Sequence, residues 1–146
     1  MLKQYAGRTE QWKAAIHRKA DATELVEDGE LHTRGAMYLA GYAIECRIKA
    51  IAMECFGCST LDELRHKRGL FDDAVYSHGL EALMRDLLPQ GTWSRLLASD
   101  ASTAFKGQVS RWSPQWRYNS QNPPKDQAHE FLDAIEVVWQ WLGANV

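Results

Sequence analysis

The segment MYLAGYAIECRIKAIAMEC, residues 37–55, decides the fold. Apolar residues recur along it in alternating steps of four and three, which is the spacing of a helix that packs along a neighbour. The residues at this spacing are Met37, Gly41, Ile44, Ile48, Ile51 and Cys55. Further apolar residues lie on the opposite side, namely Leu39, Ala43, Cys46, Ala50 and Met53. The helix is therefore expected to need two packing partners, one of which could be a second subunit.

One edge of this predicted helix is polar and aromatic. At 100° per residue, the residues on this edge are Arg34, Tyr38, Tyr42, Glu45 and Lys49. Glu45 and Lys49 have the spacing of an ion pair, which on an exposed helix contributes only about 0.3 kcal/mol. Alternatively, the tyrosines and Arg34 line a small cleft in which the charges are partly desolvated, and such groups are candidate site residues. The sequence leaves both interpretations open.

Helical spacing recurs through the rest of the chain. The other predicted helices run from Thr9 to Asp28, from Ser77 to Leu88, from Trp93 toward Trp112 and from Pro124 to Leu142. A short helix is expected to open at Ser59, whereas residues 67–73 are expected to form an exposed loop. Period-two alternation persists nowhere, so no sheet is expected. The predicted fold class is all-α, an antiparallel four-helix bundle with an additional short helix in a single domain, residues 1–146.

Composition and charge narrow the function classes. The 146 residues are 45% hydrophobic and 25% charged, with a net charge of −2, as expected for a folded soluble protein. Any phosphate contact must therefore come from a local basic patch. Three cysteines and the absence of an apolar leader predict a reducing compartment, by default the cytoplasm. No apolar run approaches the roughly 20 residues of a membrane span, so no membrane contact is expected.

Two patterns resemble metal or ligand sites only in part. Cys55 and Cys58 have a Cys-x-x-Cys spacing, but neither a second ligand pair nor a preceding strand accompanies them. One face of the last helix carries several polar groups and is interpreted as hydrated surface. Its residues are His129, Asp133, Glu136 and Gln140. We therefore assign no metal and no cofactor.

Three segments carry a family resemblance. AMYLAGYAIECRIKAIA, residues 36–52, resembles the signature helix of the HEPN superfamily (higher eukaryotes and prokaryotes nucleotide-binding domain), in which a Glu is followed four residues later by a Lys. SHGLEAL, residues 77–83, is similar to the family's His-x-Leu-x-x-Leu element, and WSPQWRYNS, residues 112–120, to its Arg-Tyr segment. The resemblance implies a helical bundle that commonly dimerises. It also implies roles in nucleotide binding, RNA cleavage, toxin–antitoxin pairs with small nucleotidyltransferases, or phage defence.

The nuclease members of this family carry an Arg followed by a His after four to six residues. The His moves a proton, and the Arg neutralises charge that develops on the phosphoryl group. The matching arginine here is Arg117, but its window holds Asn122, Pro123 and Pro124, and no other arginine has a histidine at that spacing. Ribonuclease activity therefore requires a displaced histidine, such as His78, to meet Arg117 in space.

The candidate site residues each have a structural alternative. Arg117 either binds a phosphate as a planar fork or forms a salt bridge to Glu45 inside the bundle. His78 is either the displaced acid-base group or a helix-start residue whose ring hydrogen-bonds the backbone. Tyr118 either stacks on a base or fills the core.

Three functions remain as hypotheses. The first is a toxin–antitoxin or phage-defence module that holds a nucleotide or RNA phosphate, with the ligand-binding residues Arg117, Tyr118, Glu45, Lys49, Tyr38 and Tyr42. The second is a metal-independent endoribonuclease in which Arg117 and His78 are catalytic. The third is a non-catalytic dimeric adaptor for a nucleotidyltransferase. A homodimer is expected because Val137 and Trp141 lie beyond the main apolar stripe of the last helix.

Overall fold

The computed structural model describes residues 7–146, which contain α-helices and 3-10 helices but no strand. The α-helices are α1 (Arg8–Glu27), α2 (Thr33–Cys55), α3 (Leu61–Arg68), α4 (Asp72–Val75), α5 (Leu80–Asp86), α6 (Thr92–Leu97), α7 (Ala101–Gly107) and α8 (Lys125–Asn145). The 3-10 helices are Glu30–His32, Val109–Arg111 and Pro114–Tyr118. The all-α prediction is confirmed. Within the described part of the chain, no helix combines the length and the apolarity that crossing a bilayer requires.

The first helical pair forms much as the sequence predicts. α1 ends at Glu27, and Gly29 follows with a φ of 110°, which glycine adopts without a side-chain clash. The 3-10 helix Glu30–His32 then leads into α2. The start of α1 differs from the prediction, because the N-cap is Gly7 and the expected cap, Thr9, lies inside the first turn.

α2 is the central helix of the fold. It packs along α1 and also contacts α3, α5, α8 and the 3-10 helix Pro114–Tyr118. Both of its predicted apolar faces are buried, except that Cys55 is exposed and Leu39 is half-buried. The partners on both faces include helices of the same chain, so burial of α2 does not depend on a second subunit.

The predicted loop at residues 67–73 is wrong at both ends. α3 continues through Lys67 and Arg68, and α4 begins at Asp72. A capping box starts α3, since Thr60 Oγ1 accepts a hydrogen bond from the Glu63 amide and the Glu63 carboxylate accepts one from the Ser59 amide. Gly69, with a φ of 63°, ends the helix.

The long helix predicted from Trp93 toward Trp112 is interrupted. α6 ends at Leu97 and α7 begins at Ala101. Between them, Ser99 Oγ donates to the Leu96 carbonyl and accepts from the Ala101 amide, so local side-chain bonds replace a helical turn. The helix before this region also starts later than predicted, because its N-cap is Gly79 rather than Ser77. Three long helices, α1, α2 and α8, therefore pack with a series of shorter ones.

Candidate functional site

Trp112 anchors the segment that precedes α8 onto α2. Its indole Nε1–H donates a 3.0 Å hydrogen bond to the backbone carbonyl of Tyr38, and its ring stacks on the Tyr38 ring with centroids 6.1 Å apart. The indole reaches this position because Gly41 has no side chain, and a Cβ atom there would overlap the indole ring. The 3-10 helix Pro114–Tyr118 is thereby held beside the N-terminal half of α2.

A second set of hydrogen bonds ties the following residues to the start of α2. Thr33 Oγ1 donates to the Pro123 carbonyl at 2.6 Å. The Arg34 amide donates to Asn122 Oδ1 and the Arg34 Nε donates to the Gln121 carbonyl, both at 3.2 Å. Residues 112–123 are thus attached to α2 at two points, on either side of Arg117.

A cleft of about 360 Å³ lies between these attachments. We call it the arginine cleft, because Arg34 and Arg117 both line it. Its other lining residues include the aromatic side chains of Tyr38 and Trp116 and the polar residues His32, Asn119, Ser120 and Asn122. The sequence predicted that Arg34 and Tyr38 share one edge of α2, whereas the contributions of Trp116, Asn119 and Asn122 were missed. The sequence feature that could have identified these three residues is their position near Arg117 along the chain.

The two guanidinium groups of the cleft contact aromatic rings. The Arg117 guanidinium carbon lies 5.7 Å from the Tyr38 ring centroid and 5.6 Å from that of Tyr118, and the Arg34 carbon lies 5.0 Å from that of Trp116. Within residues 7–146, neither arginine forms an ion pair with a carboxylate, and Arg117 is exposed. The salt bridge between Arg117 and Glu45 is therefore not formed. Tyr118 is 75% exposed, so its alternative as a core residue is wrong.

A second polar cluster lies farther along α2. Glu45 and Lys49 are 3% and 0% exposed, so they are not a hydrated surface pair. The Lys49 Nζ lies 3.5 Å from Glu45 Oε2, and His78 Nδ1 lies 2.6 Å from Glu45 Oε1. We call Glu45, Lys49 and His78 the Glu45 cluster. Its ammonium is buried, whereas the His78 side chain is 52% exposed.

The hydrogen bond to Glu45 orients the His78 ring. A carboxylate only accepts hydrogen bonds, so the proton on this side of the ring is carried by Nδ1. The neutral imidazole then has its lone pair on Nε2, which is the arrangement of a general base. The sequence proposed either a backbone partner or Arg117 for His78, and neither is the partner observed. Glu45 is close because α5, which begins at Leu80, packs against α2.

Two tyrosines connect the cleft and the cluster. The Tyr38 and Tyr42 rings lie 6.2 Å apart and within 7° of parallel. Burial raises the pKa of Tyr42 to about 12, with smaller contributions from Cys46 and Glu45, so the phenol is uncharged at neutral pH. Burial likewise raises the pKa of Cys46 to about 12, which leaves this thiol protonated and unreactive. Tyr38 and Glu45 are about 10 Å apart along the helix axis at 1.5 Å per residue.

Arg47 is a buried charge that the sequence analysis missed. Its guanidinium carbon lies 5.1 Å from the Trp12 ring centroid and 4.1 Å from that of Trp139, so it fills the junction of α1, α2 and α8. Burial lowers the pKa of Arg47, and Glu136 partly opposes this shift. The cation–π contacts stabilise the guanidinium, which forms no ion pair with a carboxylate of residues 7–146. We assign Arg47 to packing.

The cysteine pair does not form part of the candidate site. Cys58 is buried and Cys55 is exposed, and both are free thiols. Burial and the neighbouring Glu54 raise the pKa of the Cys55 thiol. Among the side chains of residues 7–146, no group of three or more His, Cys, Asp or Glu is arranged to hold a metal ion.

The three segments that carry the HEPN resemblance come together in the fold. Residues 36–52 lie in α2, which contacts both α5 and the 3-10 helix Pro114–Tyr118. α5 contains much of the segment 77–83, and the 3-10 helix lies within residues 112–120. The resemblance rests on these segments, because comparison of the chain with protein-family models, curated proteins and solved structures finds no match.

Proposed function

We propose that the protein is a HEPN-like helical module that binds a nucleotide or an RNA phosphate in the arginine cleft. The proposal is carried by one observation: Arg34 and Arg117 line the same cleft, and neither has a carboxylate partner within residues 7–146. Guanidinium groups bind phosphate oxygens with paired, charge-assisted hydrogen bonds. Two unneutralised arginines form the local basic patch that a chain of net charge −2 needs for this purpose.

The remaining groups of the site suit the rest of a nucleotide. Tyr38 and Trp116 offer aromatic surface for a base, and Asn119 and Asn122 carry amides that can hydrogen-bond a base or a sugar. Of the residues predicted to bind ligand, Glu45 and Lys49 are almost fully buried. We therefore propose that they act by holding His78 in place and do not touch the ligand.

Replacing Arg117 by alanine is expected to weaken the binding of AMP or a short RNA about tenfold or more, since a hydrogen bond to a charged group contributes about 1.5–3 kcal/mol. Isothermal titration calorimetry measures this effect. The control is Arg111→Ala, which removes the same charge at an exposed position outside the cleft and is expected to bind as the wild type does. Equal affinity for Arg117→Ala and the wild type would contradict the proposal.

The same proposal covers the bundle, the oligomeric state and the biological system. In the bundle, the short helices α5–α7 take the place of the fourth helix. Two copies of the chain associate in the cytoplasm, as part of a toxin–antitoxin or phage-defence system. The 45% exposure of Val137 on α8 supports self-association. The alternative is a dimeric adaptor for a small nucleotidyltransferase, in which the polar strip of α2 serves the register of the bundle. Light scattering on the purified chain tests the dimer.

The second candidate function is a metal-independent endoribonuclease. The 2.6 Å contact between His78 Nδ1 and Glu45 Oε1 favours it, because an oriented and half-exposed imidazole is suited to proton transfer at the 2′-hydroxyl or the leaving oxygen. His78 does not line the cleft that holds Arg117, so in this candidate Arg117 would hold a neighbouring phosphate of the same strand and not the phosphoryl group that reacts.

For this candidate, His78→Ala is expected to lower the rate of RNA cleavage in EDTA by about 100-fold or more, the usual contribution of a general acid or base. His129→Ala is the matched control, because this histidine is also partly exposed and also contacts a glutamate, Glu27, at 3.3 Å. Denaturing gels of a labelled RNA give the rates. If the wild type leaves the RNA intact, this candidate is excluded and the binding proposal still stands.

A further inference from the structure

The arginine cleft offers a ligand mostly hydrogen-bond donors. Within residues 7–146, no Asp or Glu lines it, and the guanidinium groups of Arg34 and Arg117 can only donate. The backbone carbonyl of Gln121 is already engaged, because it accepts a hydrogen bond from Arg34 Nε at 3.2 Å. The carbonyl of Trp116 likewise accepts from the Asn119 amide at 3.1 Å. The cleft therefore suits a ligand group that accepts hydrogen bonds and carries negative charge.

Two asparagines of the cleft are oriented as donors. Asn122 Oδ1 accepts from the Arg34 amide at 3.2 Å, and Asn119 Oδ1 accepts from the Gln121 amide at 2.9 Å. A backbone N–H only donates, so the oxygen of each asparagine side chain faces that amide and the NH2 group lies on the other side. Within residues 7–146, neither NH2 group has an acceptor. Both are available to donate to a ligand.

The two arginines are held from opposite walls of the cleft. Arg34 extends from α2 over the Trp116 ring, whereas Arg117 extends from the 3-10 helix Pro114–Tyr118 over the Tyr38 ring of α2. Such a contact uses the face of a guanidinium and leaves its N–H edge for a ligand. Arg34 also keeps its two terminal NH2 groups, because the carbonyl of Gln121 engages only Nε. The cleft thus presents two positive charges with unused donors.

We propose that the cleft selects a phosphate monoester, which is the terminal phosphate of a nucleotide or of an RNA end, over the phosphodiester inside a strand. This inference rests on the proposed function and names the ligand group. A terminal phosphate carries a charge of about −1.5 to −2 at pH 7 and three acceptor oxygens. A phosphodiester has a single negative charge and one free oxygen fewer. The monoester therefore matches two guanidinium groups and two amide donors more fully.

A base or a sugar hydroxyl satisfies these donors less well. Both kinds of group present donors beside their acceptors, and a donor has no partner in a guanidinium or an amide NH2 group. A base or a ribose therefore uses Asn119 and Asn122 only through its own acceptors. The selectivity of the cleft is expected to depend on the phosphate first and on the base second.

The test is calorimetric titration of the full chain with AMP, with the methyl ester of its phosphate, and with adenosine. AMP is expected to bind about tenfold or more tightly than the ester, because the added methyl group removes one charge and one charge-assisted hydrogen bond. Adenosine is expected to bind more weakly than either. These three ligands share the same base and sugar, so the comparison isolates the phosphate.

A hexa-adenylate RNA distinguishes the two sources of the monoester. With a 5′-phosphate, the hexamer is expected to bind about tenfold or more tightly than the same hexamer with a 5′-hydroxyl. A phosphorylated hexamer that binds more tightly than AMP identifies an RNA end as the ligand. One that binds more weakly than AMP identifies a free nucleotide.

Asn122→Asp tests the donor role within the protein. The aspartate keeps an oxygen for the Arg34 amide but replaces the NH2 donor by a charged acceptor, and is expected to weaken AMP binding about tenfold or more. The control is Gln127→Glu, which adds the same charge at an exposed position outside the cleft and is expected to bind as the wild type does.

The inference is overturned if the methyl ester binds as tightly as AMP, or if Asn122→Asp binds AMP as the wild type does. In either case, AMP binding that depends on Arg117 would leave the proposed function standing. If neither AMP nor its ester binds, both proposals fail.

Discussion

Replacing Glu45 by alanine is expected to lower the free energy of unfolding by about 3–5 kcal/mol, the loss typical when one partner of a buried ion pair is removed. The Lys49 ammonium is 0% exposed, and its one carboxylate partner in residues 7–146 is Glu45 at 3.5 Å. In the variant, a buried charge would have no counterion. Chemical denaturation monitored by circular dichroism measures the change.

A double variant tests whether the buried charge is the cause. Lys49→Met combined with Glu45→Leu removes both charges and is expected to recover most of the lost stability, because apolar replacement of a whole buried pair is often neutral. The matched surface control is Glu81→Ala, which breaks a 3.9 Å pair with Arg85 whose side chains are about half exposed. That change is expected to stay below about 0.5 kcal/mol. A Glu45→Ala protein as stable as the Glu81→Ala protein would contradict the buried-pair interpretation.

Gly41→Ala is expected to destabilise the protein by about 1–3 kcal/mol through overpacking. The new methyl group would overlap the indole ring of Trp112. That indole donates a hydrogen bond to the carbonyl of Tyr38, which lies in α2 like Gly41. This loss opposes the roughly 1 kcal/mol that alanine gains over glycine inside a helix. Displacement of Trp112 would also release the 3-10 helix that carries Arg117. We therefore expect weaker AMP binding and faster amide hydrogen exchange in residues 112–122.

The matched control for Gly41→Ala is Gly107→Ala. Gly107 closes α7 and has open space where a Cβ would be added, so the substitution is expected to be neutral or slightly stabilising. If both alanine variants have the same stability and the same exchange rates, the missing side chain at Gly41 is not what allows Trp112 to pack against α2.

The positions of most helices were predictable because the residues that start and end a helix lie next to it in the sequence. α1 ends at Glu27, next to the predicted end at Asp28, and α8 begins at Lys125, directly after the predicted start at Pro124. The prediction failed at Ser99, where hydrogen bonds of a serine to its neighbours interrupt a segment with helical apolar spacing. The prediction also failed at Lys67 and Arg68. These polar residues belong to α3, because this helix starts at a capping box and continues until Gly69 ends it.

The candidate site was predictable only in part. Helical geometry alone places Arg34, Tyr38, Tyr42 and Glu45 on one edge of α2, and it pairs Glu45 with Lys49. The same geometry carries no information on burial, so the sequence could not decide between a surface pair and a buried one. The sequence also left open whether Arg117 binds a phosphate or forms a salt bridge to Glu45, whereas the observed contacts of Arg117 are with the Tyr38 and Tyr118 rings.

The sequence by itself determined the helical class, the two-sided burial of α2 and the polar composition of one edge of that helix, because each of these depends on residues three or four positions apart. Only the tertiary structure decided that His78 binds Glu45 across 33 positions and that the Arg34 amide binds Asn122 across 88. Such contacts depend on how the connecting segments bring distant elements together, which periodicity along one helix does not encode. The segment that carries Arg117 is attached to α2 partly because Trp112 fits against Gly41, a packing contact between residues far apart in the chain.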